Sequence, residues 1–246
     1  MKTVVMTGAS RSGSTFFGDL MRHAANVEAR HEQIGGRDFF CVSAYAPDHA
    51  FIRHDVKLGL AELRSAAERA GKPLAVDVNS NVAFATGALR AAEPDIGLFH
   101  LVRNGRKVIA SNWLRKMYTD YAKGVDVRPS TDAELDAWHG FDRFQKLAWQ
   151  WNRIASELID RGVPAVRLEL ALEDYDYLAE RLLNPARIDL PKPVWEARRA
   201  VRVNESKFKL KDLLRGRPTE LDWTPAREAE FQRLCGASMA ALGYET

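Results

Sequence analysis

The amino-acid sequence predicts an α/β protein of three layers, a central parallel β-sheet with helices on both faces. Three observations predict it. Thr3–Met6 is a short apolar run of strand formers, Thr7–Thr15 is dominated by Gly, Ser and Thr, and from Phe16 to Met21 apolar residues recur at helical spacing. Ile96–Val102 (IGLFHLV) is almost continuously apolar, the pattern of a parallel strand buried on both faces, and a helical pattern follows at once. Strands and helices then alternate as far as Leu168, which calls for right-handed crossovers and a sheet covered on both sides.

The elements follow in order. Asn26–Glu32 reads as a short second strand ending in the titratable cluster Glu28, Arg30, His31 and Glu32. Gly35-Gly36 breaks regularity, and Asp38–Phe51 is an irregular stretch carrying Phe39, Phe40, Tyr45, Pro47 and Phe51. Such aromatic loops beside a strand end either line an acceptor pocket or cap the core. Gly59–Ala70 is an amphipathic helix through Leu60, Leu63 and Ala67, stopped by Gly71 and Pro73. Leu74–Val78 is a strand, after which Asn79–Asn81 start a helix over Val82–Ala92. Beyond Ile96–Val102, Arg103-Asn104-Gly105-Arg106 leads into a helix from Lys107 to Tyr121.

Gly124–Thr131 is a polar loop, and Asp132–Asp160 a long helical region with a break at Gly140. Its buried stripe is Trp138, Phe144, Leu147, Trp151, Ile154 and Leu158. Val163–Leu168 is the last strand, with Glu169 at its end; Leu172–Leu183 is a helix, and Pro185, Pro191 and Pro193 mark a loop-rich passage. Val201–Pro218 carries Arg202, Lys207, Lys209, Lys211, Arg215 and Arg217, and reads either as a solvated charged loop or as a flap. Thr224 as N-cap, Pro225 at the first helical position and Glu228 three residues after the cap open the final helix, which closes at Gly243-Tyr244.

The 246 residues, 46% hydrophobic and 28% charged, describe one globular α/β domain over 1–246. A formal net charge of +3 permits an anionic ligand without the dense basic stripe of a nucleic-acid binder, so no nucleic-acid partner is expected. Two cysteines, Cys41 and Cys235, make neither a disulfide framework nor a zinc site. The strand begins directly after a single Lys and no apolar run has membrane-spanning length, so the expected compartment is the cytoplasm.

The Thr7–Thr15 loop is an anion cradle: backbone N–H groups of the loop and of the first helical turn converge, and Ser12, Ser14 and Thr15 add hydroxyl donors. Gly8 and Gly13 keep the spacing of the nucleotide-triphosphatase loop G-x-x-x-x-G-K-[ST], but Ser14 stands where its Lys would be, and the loop's one cation is Arg11. Ligands of parallel sheets bind past the carboxyl ends of the strands, which collects Arg11, Glu32, Asp77, Asn79, Arg103 and Glu169 along one edge.

Arg11-Ser12-Gly13-Ser14-Thr15, between a strand and a helix, resembles the 5′-phosphosulfate loop of sulfotransferases, which use 3′-phosphoadenosine 5′-phosphosulfate as donor. Their second signature, an Arg at a strand end and a Ser eight residues later on the next helix, is matched by Arg103 and Ser111. Trp151 in a long helix, Val166-Arg167-Leu168-Glu169 and the segment from Trp223 to Tyr244 are weaker echoes in the expected order. The resemblance implies a P-loop-like sulfotransferase fold and a donor site of Ser10, Arg11, Ser12, Gly13, Ser14, Thr15, Phe16, Arg103 and Ser111, with Lys207 and Lys209 closing over it. It implies metal-independent transfer, in which Arg11 meets the charge on the leaving phosphate.

The acceptor hydroxyl needs a base within hydrogen-bond reach; Glu32 is the first candidate and His31 the second, and neighbours on a strand face opposite ways. Asp77, Asn79, Phe39 and Phe40 are candidates to position the acceptor or the base, with helix capping as the alternative for Asn79. Small-molecule, carbohydrate, lipid and peptide acceptors are all compatible with the sequence. A P-loop small-molecule kinase with a relocated cation and a non-catalytic nucleotide-binding module are the competing functions.

Overall fold

A computed structural model describes residues 1–36, 38–115, 117–119, 127–129, 131–201 and 221–245. The chain divides into two compact units, Met1–Arg103 with Glu157–Asn204, and Asn104–Ser156 with Glu205–Thr246.

The first unit holds the sheet. Its strands are β1 (Lys2–Thr7), β2 (Val27–His31), β3 (Leu74–Val78), β4 (Gly97–Val102) and β5 (Ala165–Arg167). They pair in the order β2-β3-β1-β4-β5, and every pairing is parallel. β1 is therefore central. The chain first winds toward β2 and β3 and then crosses to β4, so the order reverses between β1 and β4, where α/β sheets place their ligands.

Side-chain alternation divides the faces. Val4 and Met6, Val27 and Ala29, Leu74, Val76 and Val78, and Phe99 and Leu101 pack with Phe17, Leu20 and Met21 of α1 (Ser14–Arg22). On the opposite face Ala75 packs with Leu63 and Ala67 of α3 (Ala50–Arg69). The expected three-layer arrangement with a parallel sheet at its centre is what this unit adopts.

Several boundaries differ from expectation. The stretch Asp38–Phe51 is mostly helical: α2 spans Phe39–Tyr45, and α3 begins at Ala50 rather than Gly59. The His49 side chain caps α3, with Nδ1 accepting from Phe51 N at 3.2 Å, an unusual cap for sequence to announce. Gly59 lies inside α3, where a Cβ would stand 3.0 Å from Ile34 Cα. After β3, Ser80–Val82 forms a single 3₁₀ turn and α4 spans Thr86–Ala92. Helix begins at Leu168 directly after β5, so Glu169 sits in the first turn of α8 (Leu168–Glu173) instead of on a strand. The helix expected over Leu172–Leu183 is broken at Asp174, whose carboxylate accepts from Asp176 N, and Pro193 lies in the first turn of a helix, Lys192–Arg199.

The second unit is helical. α5 (Gly105–Trp113) is shorter than expected and is capped by Asn104, whose side chain accepts from Arg106 N at 3.0 Å. α6 (Asp132–His139) and α7 (Arg143–Asp160) break at Gly140 as the sequence indicates, although α7 runs on into the first unit. Arg143 donates to the carbonyls of Trp113 and Met117 at 2.9 Å each, and to that of Arg115, tying off the end of α5. Thr224 caps the terminal helix Pro225–Ala241 as expected, accepting from Arg227 N. The six apolar residues of the expected stripe on α6 and α7 are all buried. The basic segment with Lys207 and Lys209 lies outside the described residues, as does Tyr121.

Candidate functional site

The turn after β1 is built by contact. A Cβ on Gly8 would stand 2.1 Å from the Leu101 carbonyl oxygen, so only glycine lets the end of β1 lie this close to β4. Ser12 N donates to Ala9 O at 3.1 Å, turning the loop back over the strand end. Arg11 is held at φ +72°, and Gly13, the N-cap of α1, at φ +96° with Leu168 packed where a Cβ would be. Gly13 has no side chain with which to cap α1, and the first turn of α1 contains no acid. The positive end of the helix therefore meets an approaching anion undiminished.

Ser12 is 2% exposed, and its hydroxyl has no hydrogen-bond partner, an orphaned polar atom inside the cradle. A bound phosphate or sulfate oxygen supplies the acceptor that it lacks, so the loop fits the phosphosulfate group of the expected donor. Ser10, Ser14 and Thr15 are half-buried around it, whereas Phe16 is 9% exposed and packs edge-on to Phe17 at 5.4 Å, a core role. Arg103, just past β4, donates from Nη1 to Arg11 O at 3.3 Å. Ser111 lies half-buried in α5, in the other unit.

The second candidate group lies at the end of β2. His31 follows the parity of Val27 and Ala29 and turns toward α1: a Cβ on Gly18 would stand 3.1 Å from its Cδ2, and its Nε2 is buried without a partner. Glu32 stands just beyond the strand at φ +57°, exposed, with Oε1 accepting from Ser80 Oγ at 2.9 Å. Among the described residues only four non-glycines have positive φ, and Arg11 and Glu32 are two of them. Such a backbone costs about 1–3 kcal/mol, and residues held in it cluster at functional sites.

Of the four candidates to position the acceptor or the base, three are too buried to touch an acceptor. Asp77 and Asn79 are fully buried, so neither reaches an acceptor. The Asp77 carboxylate accepts from Gln33 N and Ile34 N, each at 3.1 Å, and from Asn79 Nδ2 at 2.9 Å. Burial nevertheless raises its pKa, opposed by those three hydrogen bonds and by nearby His31. Asn79 Oδ1 also accepts from Asn81 N, the capping role weighed for it. Phe39 is fully buried, its ring against Gly35, and belongs to the core. Phe40 is half-buried, its ring 5.5 Å from that of Phe84.

Two residues with a place in the site escaped the sequence reading. Ser80 holds the Glu32 carboxylate, and nothing in the pattern around Asn79 marks its hydroxyl. His100 lies within the apolar run of β4, in register with Thr7, and its Cδ2 is 3.4 Å from where a Gly8 Cβ would be. Burial pushes its pKa down to about 4, so it is neutral beneath the loop at neutral pH. Its place in a hydrophobic strand was the available signal. Among the described residues no group of three or more His, Cys, Asp or Glu could hold a metal ion, and no helix is long and apolar enough to cross a membrane.

No protein-family model matches the sequence. No curated protein matches it either. Solved structures do resemble it. The sulfotransferase domain of the Synechococcus PCC 7002 olefin synthase is 13% identical with a TM-score of 0.58, over 100% of this chain and 96% of that one. The sulfotransferase domain from the curacin biosynthetic pathway is 11% identical with a TM-score of 0.57, over 99% and 98%. Sulfotransferase STF9 from Mycobacterium avium is 12% identical with a TM-score of 0.57, over 99% of this chain and 77% of that one. At these identities the likeness is one of fold.

Proposed function

We propose that this chain, which has the fold of sulfotransferase domains, transfers a sulfuryl group from 3′-phosphoadenosine 5′-phosphosulfate to a hydroxyl or amine acceptor. The observation that carries the reading is the Gly8–Gly13 loop: an anion cradle with an orphaned buried hydroxyl at Ser12 and an arginine in strained backbone in place of the phosphotransfer lysine. When bound, the donor supplies a sulfuryl group activated by its bridge to phosphate. Backbone N–H groups of the loop and the hydroxyls of Ser12, Ser14 and Thr15 hold that bridge, and Arg11 stabilises the charge that the leaving phosphate oxygen acquires as the S–O bond breaks. Arg103 takes the 3′-phosphate through a charge-assisted contact.

Glu32 accepts the acceptor's proton as the new O–S or N–S bond forms. What favours it over His31 is orientation: its carboxylate is exposed past the strand end, while the His31 ring is packed against α1. Phe40, half-buried beyond the same strand, is the one of the two phenylalanine candidates left to meet an acceptor. The likeness over the whole chain supports reading 1–246 as one catalytic module. The cytoplasm is the compartment proposed for it.

Titration calorimetry in EDTA tests the donor site. 3′,5′-Bisphosphoadenosine should bind at least tenfold more tightly than ADP, and Arg11→Ala should weaken it by roughly tenfold, the loss of one charge-assisted contact. Labelled donor offered to a panel of alcohols, phenols, amines and sugars then identifies the acceptor; with it, Glu32→Gln should lower turnover by about 10²–10⁴-fold while leaving nucleotide affinity unchanged. Equal affinity for the two nucleotides, or Mg²⁺-dependent turnover of ATP, overturns the reading.

A further inference from the structure

We infer that Asp77, Asn79 and Ser80 act as a positioning unit at the end of β3 that sets where Glu32 stands relative to the Arg11 loop; this rests on the reading of Glu32 as the base. β3 lies between β1 and β2. Its end is tied in both directions: Asn79 N donates to Met6 O of β1 at 2.8 Å, just before the loop, and Glu32 N donates to Val78 O at 3.1 Å. The middle strand is thus bonded both to the strand that carries the cradle and to the one that carries the base.

The side chains complete the tie. Past Glu32 the chain must leave the extended conformation, and the N–H groups of the next two residues, Gln33 and Ile34, each find one oxygen of Asp77. Asn79 Nδ2 bridges Asp77 Oδ2 and, at 2.7 Å, Ile34 O, so the turn is held through donors and an acceptor. Three donors converge on the two Asp77 carboxyl oxygens; an Asn there would turn an NH₂ group toward one of them. Ser80 then fixes the Glu32 carboxylate itself. None of these contacts requires an acceptor, and the two fully buried members are screened from one.

The test compares Asp77→Asn, Ser80→Ala and wild type by amide hydrogen exchange, 3′,5′-bisphosphoadenosine titration and labelled-sulfuryl transfer to an acceptor from the panel. In Asp77→Asn, the Gln33 and Ile34 amides should exchange at least tenfold faster, nucleotide affinity should stay within twofold, and kcat should fall by about tenfold to a hundredfold with acceptor KM little changed, as for a misplaced catalytic group. In Glu32→Gln background, Asp77→Asn should add no further loss, because both changes act through one group. Ser80→Ala removes one hydroxyl at a half-buried position and should fold normally, with kcat lowered about threefold to tenfold. Losses that add in the double variant, nucleotide affinity that falls together with kcat, or Ser80→Ala turning over like wild type would overturn the inference. A wild-type protein that neither binds the nucleotide nor transfers sulfuryl overturns instead the function on which it rests, and that control separates the two failures.

Discussion

At the scale of single residues, the site is marked by what its local backbone and burial cost. Arg11 and Glu32 occupy a left-handed conformation that their side chains disfavour, and each is held there by its surroundings rather than by intrinsic preference. His100 gives a second measure. Its pKa falls from 6.5 to about 4 on folding, so between those values the unfolded chain takes up a proton that the native state refuses. Stability should therefore drop as pH falls through that window, by roughly 3 kcal/mol at its lower end. Asp77, whose pKa is raised, opposes this by gaining its proton earlier in the folded state than in the unfolded one. Denaturant unfolding of wild type and His100→Gln at several pH values isolates the histidine: the difference between them should shrink or reverse toward acid pH, and a difference independent of pH would contradict its burial as a neutral ring. Arg11, Arg103 and Glu32 were legible as candidates because chemistry and spacing single them out. The burial of Asp77, Asn79 and Phe39 was not legible, since residue type discloses chemistry while exposure depends on what packs above.

At the scale of elements, glycine was the main source of misreading. Gly59 looked like the start of a helix, yet it is the tenth residue of α3, kept small by Ile34 of the turn after β2. Gly59→Ala sets two effects against each other. Helix propensity gains about 1 kcal/mol, while the new Cβ stands against backbone and not against a pliant side-chain tip. The contact should prevail, with a net destabilisation of about 1–2 kcal/mol in urea unfolding and faster exchange at Ile34 N. A stabilised variant would show that the helix and turn can separate freely. Where local chemistry decides alone, the sequence was sufficient: Thr224 caps the terminal helix, and the chain breaks near Gly140. His49 and Arg143 show the contrary case, one capping α3 in a way residue preferences do not advertise and the other tying off α5 from 30 residues away.

At the scale of the whole molecule, the proposed donor site, made from fixed backbone and arginines, should couple nucleotide binding to folding without metal. At a hundredfold excess over its dissociation constant, 3′,5′-bisphosphoadenosine should add about 2.7 kcal/mol of stability. For a chain of this size that corresponds to a rise in Tm of roughly 5–10 °C, in EDTA as in Mg²⁺. Thermal denaturation with ADP as control measures it, and an equal shift for the two nucleotides would remove the 3′-phosphate from the account.

Taken alone, the sequence determined the parallel α/β class and the glycine-bounded loop that leads from β1 into α1, because strand alternation and glycine spacing are periodic and local. It also placed Arg11, Arg103 and Glu32 at strand ends. Tertiary structure decided the strand order β2-β3-β1-β4-β5, the burial of Asp77 and Asn79, and the bonds by which the middle strand joins its neighbours. These depend on which distant segments meet. Gln33 and Asp77 are 44 residues apart, and their hydrogen bond exists only because β2 chooses β3 as its neighbour.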